Sequence, residues 1–355
     1  MGIQVRIHGI GTAAPKNSFT SKDGARIARK ANSSLAEPDL MKLYEDVSID
    51  SRSLALSPEE MDADILAPVH DRGRSTRQRL DRYMGAALDL AERSARVALD
   101  NSGIDPDRIT HLVTVSCTGA ESPGVWLGIH DALGLSGDVS RTHVGFMGCH
   151  GALNGLAAAR AYAAEDPSNV VLLICMEICS IHYHVGSEFR DQAIANAIFA
   201  DGAAAAIISQ DTGGLVLDSF GSRLFPGTSE LMTWKIGDRG FEMRLSPRVP
   251  IVLKRSVRGW IGEWLGGVGL SIEDVDAWAI HPGGRDILEG VRQGLGLAND
   301  QIEPSLRVLA EQGNMSSSTV LWIIKQLIDG GCGGSMVAIA FGPGLVGEGL
   351  LLRGN

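Results

Sequence analysis

Two stretches of this chain repeat one another at a fixed interval, and no other feature limits the possible folds as tightly. GIDPDRITHLVTV starts at Gly103 and GLSIEDVDAWAIH starts at Gly269, an interval of 166 residues. They agree position by position in residue type: glycine on glycine, Ile104 on Leu270, Asp107 on Glu273, Ile109 on Val275. The same interval carries the apolar run 170–175 onto 336–341, and the helical segment after Cys149 onto the one after Met315. One match would be weak, because helix–glycine–strand is a common transition. Three at one interval predict two related halves, 1–210 and 211–355. If the halves pack as a pseudo-dimer, the helix starts after Gly148 and Gly313 face each other at the centre. A site is expected there.

Each half alternates strand-length apolar runs with longer segments of helical period. Runs at 113–115, 170–175, 203–208, 277–280 and 336–340 predict buried strands. Segments 76–100, 151–164, 252–265, 285–294 and 317–329 predict helices. This alternation belongs to the α/β class, with sheets covered on both faces. The 44 glycines among 355 residues are scattered, which fits tight turns and close backbone approaches instead of a linker.

With 32 basic against 42 acidic residues the net charge is −10, which disfavours nucleic acid and anionic membrane as partners. A phosphate-bearing ligand therefore needs a local basic patch. No apolar run approaches the length of a membrane helix. Five cysteines form an odd set without framework spacing, and the amino terminus reads as a first strand. A reducing, cytoplasmic compartment is expected.

Three residues could carry chemistry. Cys149, in GFMGCHGALNGL, immediately precedes a helix rich in alanine and leucine. A helix amino terminus lowers a thiol pKa and favours thiolate. The alternative is a small buried hydrophobe. His281 ends the apolar run AWAIH before an abrupt Pro-Gly-Gly, where a histidine satisfied at a strand end is the ordinary case. Asn314, in EQGNMSSST, could equally be a helix N-cap. The repeat puts Asn314 at the helix start equivalent to that of Cys149. A thiol beside imidazole and amide donors is what acyl transfer needs.

Gly-Cys-x-Gly around Cys149, WAIHPGG around His281, GNMSSS around Asn314 and FGPG at 341–344 together resemble the type III polyketide synthases. These are the chalcone-synthase-like branch of the thiolase superfamily, and GCHGALNGL resembles its bacterial members. The resemblance implies a thiolase-like five-layered αβαβα fold made of two halves. Cys149 would take an acyl-CoA starter as a thioester. His281 and Asn314 would drive loss of CO₂ from malonyl-CoA and stabilise the enolate. The chain would grow by two carbons per round and cyclise to a pyrone or phenolic ring. No metal, flavin or nicotinamide is implied, and a homodimer is.

The resemblance also assigns cavity residues. Phe199 matches a gatekeeping phenylalanine, with plain core packing as its other reading. The second gatekeeper falls at Met243. Cys117, Thr118, Cys179, His182 and Ser316 occupy positions that set cavity volume, His182 being large and polar where plant members have threonine. Lys42 and Arg52 are the expected CoA contacts. Of the family's three basic phosphate positions only Lys42 survives, with Asp39 and Asp46 at the other two. CoA must then be held differently, or the donor is an acyl carrier protein. The run Arg72, Arg74, Arg77, Arg79 and Arg82 is either a replacement phosphate patch or a solvated helix face. Cys175, Cys179, His182 and His184 have ligand types that suit zinc but not the spacing of a structural site. The enzymatic alternative is a ketoacyl-synthase-III-like single condensation or an acyl transfer.

Overall fold

The computed structural model describes residues 3–31, 36–66, 73–185 and 190–354. The thirteen strands are β1 (Arg6–Ala13), β2 (Asn17–Thr20), β3 (Ser51–Leu54), β4 (His111–Ser116), β5 (Ser140–Gly145), β6 (Val171–Ile178), β7 (Asp201–Ser209), β8 (Leu215–Leu224), β9 (Met232–Gly237), β10 (Gly240–Leu245), β11 (Ala277–Ile280), β12 (Ser335–Gly342) and β13 (Val346–Arg353). Nine of them form one sheet in the order β11-β12-β13-β8-β1-β7-β6-β4-β5, while β2–β3 and β9–β10 form separate pairs.

The order mirrors itself about the β8–β1 junction. On one side β4 and β6 run parallel, with β7 antiparallel to β6 and β1 antiparallel to β7. On the other, β11 and β12 run parallel, with β13 antiparallel to β12 and β8 antiparallel to β13. Helices Tyr83–Ser102 and Val249–Gly266 start the repeat interval apart, as do β4 and β11.

Strands covered on both faces must alternate their side chains between two cores. In β6, Leu172, Ile174 and Met176 pack against the helix Tyr83–Ser102, while Val171, Leu173 and Cys175 face inward. In β12, Val337, Ile339 and Phe341 pack against the helices Val249–Gly266 and Arg285–Leu295, while Met336, Ala338 and Ala340 face inward. The inner core is filled by the helices Gly151–Glu165 and Thr319–Asp329 through Ala152, Leu153, Leu156, Val320, Leu321 and Ile324. The two arms of this one sheet serve as separate layers, so helix, sheet arm, helix pair, sheet arm and helix give five layers. The central pair holds the helix starts that the repeat predicts will meet.

One predicted helix is two. The segment 76–100 breaks after Leu80, because Ser75 caps a short helix Thr76–Leu80 and Arg79 turns inward. The helix Tyr83–Ser102 then follows. No described helix is long and apolar enough to cross a membrane.

Candidate active site

Cys149 lies in the single turn Gly148–His150 that leads into the helix Gly151–Glu165. The turn needs Gly148 twice over. Its φ is 74°, and a Cβ there would meet Cδ of Pro343 at 2.2 Å. That contact brings the FGPG loop against the cysteine turn. His281 follows β11 directly and donates its backbone N–H to Ile339 O at 2.8 Å, so the end of the parallel pair fixes its backbone. Asn314 and Phe199 form an isolated parallel bridge: Asn314 N donates to Ile198 O, and Ala200 N to Asn314 O, each at 2.9 Å. Asn314 Oδ1 accepts from Ser316 N at 2.8 Å, which turns the Nδ2 donor the other way.

Cys149, His281 and Asn314 line one cavity, together with Phe199, Met243 and Phe341. His281 and Asn314 are each 1% exposed, and neither ring nitrogen of His281 nor Nδ2 of Asn314 makes a hydrogen bond of ordinary geometry. Buried polar groups seldom go unpaired, so this pair marks a place built for an acceptor. Burial pushes the Cys149 thiol up to about 12, eased by Ser316, raised by Glu177 and eased again by Asn314. Burial, then His150, pushes the His281 imidazole down to about 3. The thiolate expected from the helix terminus alone is thus outweighed by desolvation.

Cys117, Thr118, Cys149, Cys179, Phe199, Met243 and Ser316 line an adjoining chamber of about 20 Å³, with Trp234 in its wall. His182 lines a second chamber of about 20 Å³, which shares Cys179, Phe199 and Trp234 with the first. The His182 ring is stacked on Phe241 with centroids 3.9 Å apart. Its Nδ1 accepts from Phe241 N at 3.2 Å, so Nε2 carries the proton and donates to Thr118 O at 2.7 Å. Burial lowers its pKa to about 3.

Two residues absent from the sequence reading complete the site. Trp234, on β9, donates Nε1–H to Cys117 O at 2.8 Å and lines both chambers. Glu177, fully buried on β6, accepts from Cys117 N at 3.0 Å, Thr118 Oγ1 at 2.7 Å and Ser317 Oγ at 2.5 Å. Burial raises its pKa. The sequence signal for Glu177 was a carboxylate inside a continuous apolar run, which only a dedicated partner set makes tolerable.

Several expected contacts fall elsewhere. Arg52 is not available to a CoA phosphate: it is buried and donates to Asn196 O at 2.7 Å and Phe199 O at 2.6 Å. It anchors the backbone of Phe199 instead. Lys42 is exposed on the helix Glu37–Asp46. In the arginine run, Arg72 lies outside the described residues. Arg79 is buried, donating to Ile181 O and Tyr183 O at 2.5 and 2.9 Å, and Arg74 and Arg82 both pair with Asp64. Arg74, Arg79 and Arg82 thus form an inward clamp, whereas Arg77 is 88% exposed and pairs with Asp81 on the helix surface. The zinc alternative fails on geometry: Cys175 faces the inner core, and both His182 nitrogens and His184 Nε2 bond to backbone.

A layered α/β fold of mirrored strand order with a buried thiol, imidazole and amide at its centre fits an acyl-transferring condensing enzyme. The chain matches family models described as chalcone and stilbene synthases, the N-terminal domain over residues 4–212 and the C-terminal domain over 217–355. It is 30% identical to an alpha-pyrone synthesis polyketide synthase-like protein of Mycobacterium tuberculosis, over 97% of this chain and 90% of that protein. It is 30% identical to the 1,3,6,8-tetrahydroxynaphthalene synthase of Streptomyces peucetius subsp. caesius, over 88% of this chain and 83% of that one. The crystal structure of PKS-I from the brown alga Ectocarpus siliculosus superposes with a TM-score of 0.92 at 30% identity, covering 100% of this chain and 99% of that chain. The chain belongs to the chalcone and stilbene synthase family, and is a type III polyketide synthase with the thiolase-like fold. It is an acyltransferase, and the single-condensation alternative is not favoured.

Proposed function

We propose that Cys149 carries the growing acyl chain, while His281 and Asn314 activate the extender. The observation that carries this reading is the pair of buried, unpartnered donors lining the cavity of the cysteine. A malonyl thioester carbonyl oxygen placed between His281 and Asn314 Nδ2 accepts both hydrogen bonds. Loss of CO₂ leaves its electron pair as an enolate, whose charge grows on that same oxygen. The carbanion attacks the acyl carbonyl on Cys149 and the C–S bond breaks; the negative charge left by the malonyl carboxylate ends on the departing Cys149 thiolate, which takes up one proton from solvent. Acyl-CoA and malonyl-CoA serve as substrates without a further cofactor. Phe199 and Met243 border the mouth of the chambers, and Cys117, Thr118, Cys179, His182, Ser316 and Trp234 shape them.

Residues 1–210 and 211–355 are the duplicated halves in this reading, a division that the mirrored strand order supports. A second copy pairs along β5, the exposed outer strand of the sheet, beside which Phe146 and Met147 are 40% and 37% exposed. Five free thiols favour a reducing, cytoplasmic setting.

The test is intact-protein mass spectrometry after incubation with acyl-CoAs, followed by counting CO₂ per product with malonyl-CoA. Wild type should gain the acyl mass and Cys149→Ala should not, with more than one CO₂ per product. An acyl mass on both proteins, or on neither, would refute the assignment.

A further inference from the structure

Arg79 is a cation with only 3% of its surface exposed, and among the described residues its hydrogen bonds go to backbone carbonyls. Nε donates to Arg74 O at 3.0 Å, and Nη1 donates to Ile181 O at 2.5 Å and to Tyr183 O at 2.9 Å. The neighbouring carboxylate, Asp64, is taken by Arg74 and Arg82. A charge buried in this way carries a penalty: burial lowers the Arg79 pKa to about 10, with Asp64 opposing the shift. An apolar side chain of similar volume would avoid that penalty. What the guanidinium adds is a rigid fork, and here it grips the carbonyls on both sides of one residue, His182.

His182 closes the turn Cys179–His182. With its flanking carbonyls fixed, its ring is pinned at both nitrogens, between Thr118 O and Phe241 N. The segment that carries Arg79 also ties down the neighbouring hairpin. Thr76 N donates to Asp238 O and Gly240 N donates to Thr76 Oγ1, each at 2.9 Å. A Cβ on Gly240 would meet Arg79 Cδ at 3.1 Å and His182 Cα at 3.5 Å. The two chambers beside Cys149 hold about 20 Å³ each, so a lengthening chain must displace side chains to find room. Met232 and Met243 are unbranched and can yield. His182 is held at both nitrogens and both flanking carbonyls. We propose that Arg79 is a positioning residue that limits chain length, because it holds His182 as a fixed wall against the acyl chain growing on Cys149. This rests on the reading of Cys149, His281 and Asn314 given above.

The test gives each protein one acyl-CoA starter and malonyl-CoA, and reads product masses, CO₂ per product and the rate at which Cys149 takes up the starter. Arg79→Met keeps the stem and removes the grip. It should raise the share of products carrying an extra malonyl unit about fivefold, with starter uptake at the wild-type rate. Arg79→Lys, whose ammonium can serve one carbonyl, should fall between the two. His182→Thr should give the same shift, and adding Arg79→Met to it should move the products no further. Arg77→Ala, on the exposed side of the same short helix, should change nothing. An arginine that only stabilises the fold would lower the thermal midpoint and leave the product masses alone. The proposal is overturned if both Arg79 variants keep the wild-type products, or if Arg79→Met shifts them as far in the His182→Thr background as in wild type. Failure of both Arg79 variants to fold would assign the residue to folding and overturn it too. A wild type that takes up no acyl mass would instead strike the underlying assignment of Cys149.

Discussion

Cys149 and His281 resist ionisation for one shared reason: each would put a lone charge into a dry cavity. Moving the proton from sulfur to imidazole creates two opposite charges together, which costs less than either alone. Cys149 alkylation followed by mass against pH should therefore depend on His281. Without the imidazole the thiol must ionise by itself, so His281→Ala should move the alkylation midpoint upward by about one unit or more. An unmoved midpoint would detach His281 from the thiol. Asn314→Ala removes one of the two donors and should cut kcat for CO₂ release by about 10²–10³-fold, while Cys149 still takes up the starter. The three central residues were legible because glycine-rich turns set them at strand and helix ends. Trp234 was not, since MTWKIG reads as an ordinary alternating strand and only the fold brings its indole over Cys117.

The hairpin β9–β10 is the element that roofs the site. Met232, Trp234 and Met243 all come from it, and Arg79 packs against its Gly240. The indole of Trp234 lines both chambers beside Cys149. Trp234→Gly should merge the two chambers and raise the number of CO₂ released per product, read by mass spectrometry of the products. If the product profile is unchanged while the thermal midpoint falls, Trp234 serves packing alone. At the cysteine turn, Gly148→Ala forces a Cβ into Pro343 at a positive φ. A loss of about 2 kcal/mol or more in unfolding free energy is expected, with slower acylation of Cys149. The long buried strands were readable from their apolar runs, whereas the hairpin was not. Its alternation is brief and mixed, and its position comes from long-range contacts with Arg79 and His182. The break at Leu80 was hidden for a similar reason, because an arginine drawn inward to distant carbonyls looks in sequence like a surface charge.

At the scale of the whole molecule the repeat read from the sequence corresponds to mirrored strand orders, yet the mirror is incomplete: among the described residues β5 has no counterpart beyond β11. This extra strand leaves an open edge, and open edges recruit partners. Ser140 and Phe146 donate inward to Thr110 O and Ser116 O, so by alternation Arg141, His143 and Gly145 turn their N–H groups outward. A second copy can pair antiparallel along this row about a two-fold axis, covering Phe146 and Met147 of both chains. His143→Pro deletes one outward donor while leaving the β4 ladder intact, a position where proline is tolerated in an isolated edge strand. It also removes the bond between His143 Nδ1 and Thr114 Oγ1, so His143→Ala is the matched control. Size-exclusion chromatography with light scattering should find wild type and His143→Ala dimeric, and His143→Pro shifted to monomer or to a dissociation constant at least about tenfold weaker. If all three run as the same dimer, the subunits meet on another face and the β5 edge is covered some other way.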